Sequence, residues 1–128
     1  DATTGSVGAD SSRRPCSASG RLPWANVTAT EAEQACRLLG TGWRLCTKTE
    51  WEAACKGKDA TVFPYGAAYQ ANRCNGADFP RQANQTTVPA GSAAMCISDL
   101  TAGTTDDLLD MSGNVKEWVV SGATNNDP

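Results

Sequence analysis

Six cysteines and no histidine constrain this chain more than any other feature. Cys16, Cys36, Cys46, Cys55, Cys74 and Cys96 are even in number and widely spaced, and none forms the C-x-x-C pair of a zinc ribbon or a dithiol redox site. Such scatter suits bridges between separate segments, so three disulfides in an oxidising compartment are expected, with the pairing left open. The lack of histidine removes Ser-His-Asp and Cys-His nucleophile systems, His-ligated zinc and His-held haem. With 128 residues, one domain is the default.

Lys plus Arg is 11 against 14 Asp plus Glu, a net charge of −3. Nucleic acid and anionic membrane surfaces both want a basic excess, so neither is an expected partner. No apolar run approaches the roughly 20 residues of a membrane-spanning helix, so membrane insertion is not expected. Residue 1 is Asp and no signal peptide is visible, which suggests a product excised from a longer precursor. The expected location is extracellular, cell-surface or periplasmic. Two sequons, at Asn26 and Asn84, fit an exported chain in a glycosylating host.

Residues 1–20 are small and polar and predict an extended arm or linker, pinned near Cys16; residues 21–128 carry the folded domain. Two overlapping Thr-x-x-Glu capping boxes, Thr28 with Glu31 and Thr30 with Glu33, open a helix over about 29–40. Ala32, Ala35, Cys36 and Leu39 share its apolar face, and Gly40 and Gly42 supply its stop. A further box, Thr47 with Glu50, opens a second helix over about 48–56, with Trp51, Ala54 and Cys55 as its stripe and Gly57 at its end. From Gly57 to Asp107 turn residues punctuate the chain, and so long a loop needs staples, for which Cys74 and Cys96 are candidates. Val115 to Val120 alternates enough for a short strand. The fold class expected is α+β: two short helices, few short strands and long disulfide-stapled loops.

Three phrases together resemble the formylglycine-generating, sulfatase-modifying family. Trp43-Arg44-Leu45-Cys46-Thr47-Lys48-Thr49-Glu50-Trp51-Glu52-Ala53-Ala54 is similar to its R-L-P-T-E-A-E-W-E-x-A-A phrase. Phe63-Pro64-Tyr65-Gly66 resembles its Y-P-W-G, with Asn72 following where the family also has asparagine. Asp110-Met111-Ser112-Gly113-Asn114-Val115-Lys116-Glu117-Trp118 resembles its D-M-x-G-N-V-W-E-W. Leu22-Pro23-Trp24-Ala25-Asn26-Val27-Thr28, with Ala32 and Cys36, looks like the approach to the first helix in cysteine-rich members. The resemblance covers about 22–120 and implies an irregular C-type-lectin-like fold. Cys46 stands where the family has proline, and Lys116 where it has tryptophan. An R-G-G-S phrase and the reactive cysteine pair of the enzymes belong to a part of the family domain that the chain does not contain. A partial domain over 21–128 is therefore the expectation.

The segment from Asp110 to Glu117 is the best chemical site. Calcium takes six to eight hard oxygens, and a tight glycine turn can aim carbonyls inward while carboxylates close the shell. The resemblance implies that Asp110 and Glu117 bind through side chains, and Gly113 and Val115 through carbonyls. The structural alternative is that Asp110 caps the turn, Asn114 takes a left-handed conformation and Glu117 pairs with a cation. Asn72 could serve a further calcium position, with Asp78 as partner, although a turn-forming asparagine explains it as well. Acidic Asp59, Asp106 and Asp107 read as solvated loop residues, and Arg13-Arg14 as a surface pair. Trp51 and Trp118 read as packing residues rather than a sugar-stacking face. The family's oxidase chemistry needs a neighbouring thiol pair for copper(I), the soft metal that thiolates select. No cysteine here matches that location, so no catalytic residue and no copper are expected in this chain.

These readings point to a non-catalytic extracellular binding or assembly module, with a protein partner or self-association covering an incomplete fold. The alternatives are a fragment of a formylglycine-generating oxidase without its catalytic cysteine half, and a module binding a glycan or small ligand through the 57–107 loop.

Overall fold

A computed structural model describes residues 19–80, 86–104, 107–121 and 124–127. The expected arm over 1–20, with Cys16, lies outside these apart from its last two residues, as does Asn84. Where the described chain begins, the Gly20 amide donates to Ala90 O at 3.0 Å and the Ala90 amide to Arg21 O at 2.8 Å.

Helix α1 spans Ala29–Arg37. Of its two possible caps, Thr28 with Glu31 is the one used: the Thr28 amide donates to Glu31 Oε2 at 2.8 Å, and the Glu31 amide to Thr28 Oγ1 at 3.3 Å. Glu33 instead pairs with Arg37 one turn on, at 2.6 Å. The helix ends earlier than expected because the Leu38 amide is shared between the carbonyls of Gln34 and Ala35, a tightened last turn. Ala35 is buried and Cys36 half-buried.

Helix α2 spans Lys48–Lys56, within the expected bounds. Glu50 closes the Thr47 capping box and also receives both ends of the Arg44 guanidinium, each at 2.7 Å. Gly57 ends the helix at φ 65, and a Cβ there would lie 2.6 Å from Asp99 O. Only glycine allows that approach, through which the Lys58 amide reaches Asp99 O at 2.8 Å. The end of α2 is thereby tied to strand β1 (Ile97–Ser98), whose fully buried Ser98 hydroxyl donates to Ala54 O.

Strand β1 pairs antiparallel with β2 (Leu108–Leu109), Ile97 opposite Leu109. A second antiparallel pair joins β3 (Val119–Ser121) to β4 (Thr124–Asp127), with an irregularity between Val119 and Val120. The Val120 amide donates to Cys46 O at 2.9 Å, setting β3 beside the lead-in to α2. The strand expected over 115–120 shortens to begin at Val119, because Gly113 and Asn114 both take positive φ and keep the preceding residues in a turn. The α+β class with short helices and strands holds. Among the described residues the buried apolar side chains are Ala35, Pro64, Val88, Ala93 and Cys96, a core of small groups.

The Arg44 guanidinium, followed by the Thr47 backbone amide and hydroxyl, holds the Glu50 carboxyl down to about 2 from an ordinary 4.5. Between those values the unfolded chain binds the proton that the folded chain refuses, so stability rises with pH there and is lost as pH falls towards 2. The pair is half-exposed, so its effect is screened and modest. Urea unfolding midpoints followed from pH 5 down to 2 are expected to fall less steeply in Glu50→Gln than in the parent chain, and the difference between the two chains shrinks with added salt.

Candidate functional site

The turn from Asp110 to Trp118 is held by four separate stretches of chain. Asp110 has φ 61; its amide donates to Cys96 O at 3.0 Å, and its Oδ2 accepts from the Gly91 amide at 2.7 Å. Its Oδ1 is buried without a hydrogen-bond partner. Met111 O accepts the Cys55 thiol at 3.3 Å, fastening the turn to α2. Gly113 has φ 87, and a Cβ on it would lie 2.6 Å from Asn75 O, so the turn passes against the 74–76 backbone with no room for a side chain.

Asn114 closes the arrangement. Its amide donates to Asn75 O at 3.1 Å and its Oδ1 accepts from Asn75 Nδ2 and the Val88 amide, both at 2.8 Å. Its own Nδ2 donates to Val88 O at 3.0 Å. Side-chain hydrogen bonds contribute about 1 kcal/mol each, but leaving the buried partners unpaired costs more. Next to Asn75, Cys74 is bonded to Cys96 across 22 residues, with Cα atoms 4.8 Å apart. Closing a loop of that length is worth about 3 kcal/mol. At the other end, Trp51 Nε1 donates to Glu117 Oε2 and Trp118 Nε1 donates to Val27 O at 2.7 Å.

The turn thus carries all four expected calcium residues, Asp110, Gly113, Val115 and Glu117, but their groups are partly engaged with one another and with α2. Gly113 O accepts the Val115 amide at 2.8 Å, and Glu117 faces Trp51 rather than a cation. Among the described residues no three His, Cys, Asp or Glu side chains gather as a metal cluster. The orphaned Asp110 Oδ1 is the observation that fits a cation, since a buried carboxylate oxygen wants a partner. Asn72 is exposed in the left-handed region at φ 63, the geometry of a turn asparagine. Asn26 is exposed at φ 59.

Of the three disulfides expected, one is formed among the described residues, Cys74 with Cys96. Cys36, Cys46 and Cys55 are free thiols: Cys36 is half-buried on α1 and feels Cys46, which is exposed ahead of α2, while Cys55 is engaged with Met111 O. Burial pushes the Cys36 thiol up, with Cys46 and Glu33 adding to it. Burial likewise pushes Cys55 up, and the Glu117 carboxylate adds to that. The Trp24 indole N–H is buried without a partner, and Trp43 is 59% exposed.

No sequence signal marks the interlock of Asn75 with Asn114, because turn residues at either position say nothing of a partner 39 residues away. The cluster of Phe63, Tyr65 and Tyr69 was missed as well. Its signal was three aromatic residues within one short loop.

A disulfide-stapled, loop-rich α+β domain built around a D-M-S-G-N turn defines the class of this protein. The family model for a sulfatase-modifying factor enzyme 1-like domain matches residues 3–127, and the chain belongs to that family. No curated protein and no solved structure matches it.

Gly113→Ala should destabilise the domain by about 2–3 kcal/mol, through a strained φ and a collision with backbone rather than with a yielding side chain. Chemical unfolding checks this; Gly103, where a Cβ would meet nothing within 4 Å, is the control position, since its φ of 78 carries the backbone strain alone.

Proposed function

We propose that this chain is a non-catalytic extracellular binding or assembly module of its family, acting at a cell surface, in the extracellular space or in a periplasm. One observation carries the reading: the described core is made of small groups while large apolar side chains stand outside it. The largest fully buried side chains are Cys96 and Ser98, whereas Leu38, Trp43, Val62, Met95 and Leu109 are exposed. Apolar area removed from water is worth about 25 cal/mol per Å², so a protein face, including a second copy of the chain, gains by covering them. The non-catalytic part rests on the resemblance, in which no cysteine of this chain matches the place of the family's reactive pair.

Membership of the family favours a second reading, a portion of a formylglycine-generating oxidase. Conversion of a cysteine peptide to its aldehyde by this chain with copper(I), oxygen and a thiol reductant that supplies the remaining two electrons would select it.

Sedimentation velocity across the micromolar range is the test of assembly. The expected result is concentration-dependent self-association or, in a monomer, uptake of an apolar dye, with Trp43→Ser reducing whichever is seen. A monomer that takes up no dye overturns the reading.

Calcium is the structural part of the proposal. Asp110 and Glu117 would supply carboxylates and Gly113 and Val115 carbonyls, with Asn72 a weaker candidate elsewhere. Bound there, the ion would give the buried Asp110 Oδ1 a partner and stiffen the turn; it would do no chemistry. Calcium at a hundredfold excess over its Kd is expected to stabilise the fold by about 2.7 kcal/mol. Glu117→Gln, which keeps an acceptor for Trp51, should lose most of that gain in thermal unfolding. An unfolding temperature indifferent to calcium removes the ion from the account.

A further inference from the structure

The loop after α2 makes a site that the turn and the family leave unassigned. Phe63 and Gly66 exchange backbone hydrogen bonds at 2.9 and 3.0 Å, closing a tight turn around the buried Pro64. That turn brings three rings together. Phe63 and Tyr65 stack with centroids 5.5 Å apart, and Tyr69 meets Phe63 edgewise at 5.7 Å. With Ser112 and Gly113 they wall a cavity of about 80 Å³. Tyr69 lines it while remaining 62% exposed, so much of its ring is open to a ligand.

Asp78 and Arg73 stand outside the lining, each bonded to a residue of it. The Tyr69 hydroxyl donates to Asp78, and Arg73 Nε donates to Gln70 Oε1 at 2.8 Å while its guanidinium lies 6.0 Å from the Tyr65 ring centre. We propose that this cavity is a carbohydrate subsite for one pyranose ring of a neutral glycan, the ring laid on Tyr69 and its hydroxyls bonded by Asp78, Gln70 and Arg73. The chemistry selects among ligands. A cationic group would meet Arg73 already beside Tyr65, and an anion would meet Asp78. A purely apolar side chain would bury both rim pairs with nothing to bond. A sugar ring has an apolar face for the aromatic wall and hydroxyls that donate and accept on the rim. The inference deepens the binding part of the proposed function and does not depend on self-association.

The test is titration of the full chain with cellopentaose, mannopentaose and chitopentaose, followed by amide chemical shifts. Shifts at Tyr69, Gln70 and Arg73 are expected with at least one of these. Tyr69→Ala should weaken that binding at least about tenfold. Tyr69→Phe, which keeps the ring, should retain more of it. Asp78→Asn, whose amide oxygen can still accept from the Tyr69 hydroxyl, is the second variant and should weaken binding with the wall kept in place. No shift with any of the three, binding that survives Tyr69→Ala with the fold intact, or tighter binding of polygalacturonate would each overturn the proposal. Any of these results leaves the sedimentation outcome untouched, so the two failures are distinguishable.

Discussion

The interlock between Asn75 and Asn114 is the contact on which the loop architecture depends. Two side-chain amides and two backbone stretches meet where Gly113 has no Cβ to hold them apart. The disulfide from Cys74 to Cys96 places Asn75 there, and the Asp110 amide on Cys96 O places the turn there from the other side. Few of these residues are in regular structure. The loop backbone therefore satisfies its polar groups through side-chain amides and tight glycine passages rather than through a sheet ladder.

That economy bears on function. Among the described residues a core of Ala35, Pro64, Val88, Ala93 and Cys96 offers little hydrophobic stabilisation, and the staple and the amide lock carry much of what a larger apolar core would. Larger apolar groups are left at the surface, where they are free to meet a partner. The same loop that needs the staple also gathers three rings beside the Ser112-Gly113 backbone. Binding surface and scaffold are thus built from the same residues.

Much of the frame was legible from local pattern. The Thr47-Glu50 box and Gly57 bounded α2 because capping and left-handed termination act over three or four residues. The end of α1 was misjudged because a shared hydrogen bond at Leu38 tightens the helix before its glycines are reached. The late start of β3 has a similar cause, since two positive φ values at Gly113 and Asn114 outweigh the alternation of Val115 to Val120.

By itself the sequence determined the chemistry excluded by the lack of histidine, the two helices, the loop-rich α+β class and the family phrases around Trp51, Tyr65 and Gly113. Those depend on residue identity and on neighbours close along the chain. Only the tertiary structure decided that Cys74 bonds Cys96 while Cys55 turns to Met111 O, that Glu117 faces Trp51, and that Asp110 keeps one buried oxygen without a partner. Each of those joins residues far apart in the chain. Which groups meet there is set by how the turns pack, and no local periodicity encodes it.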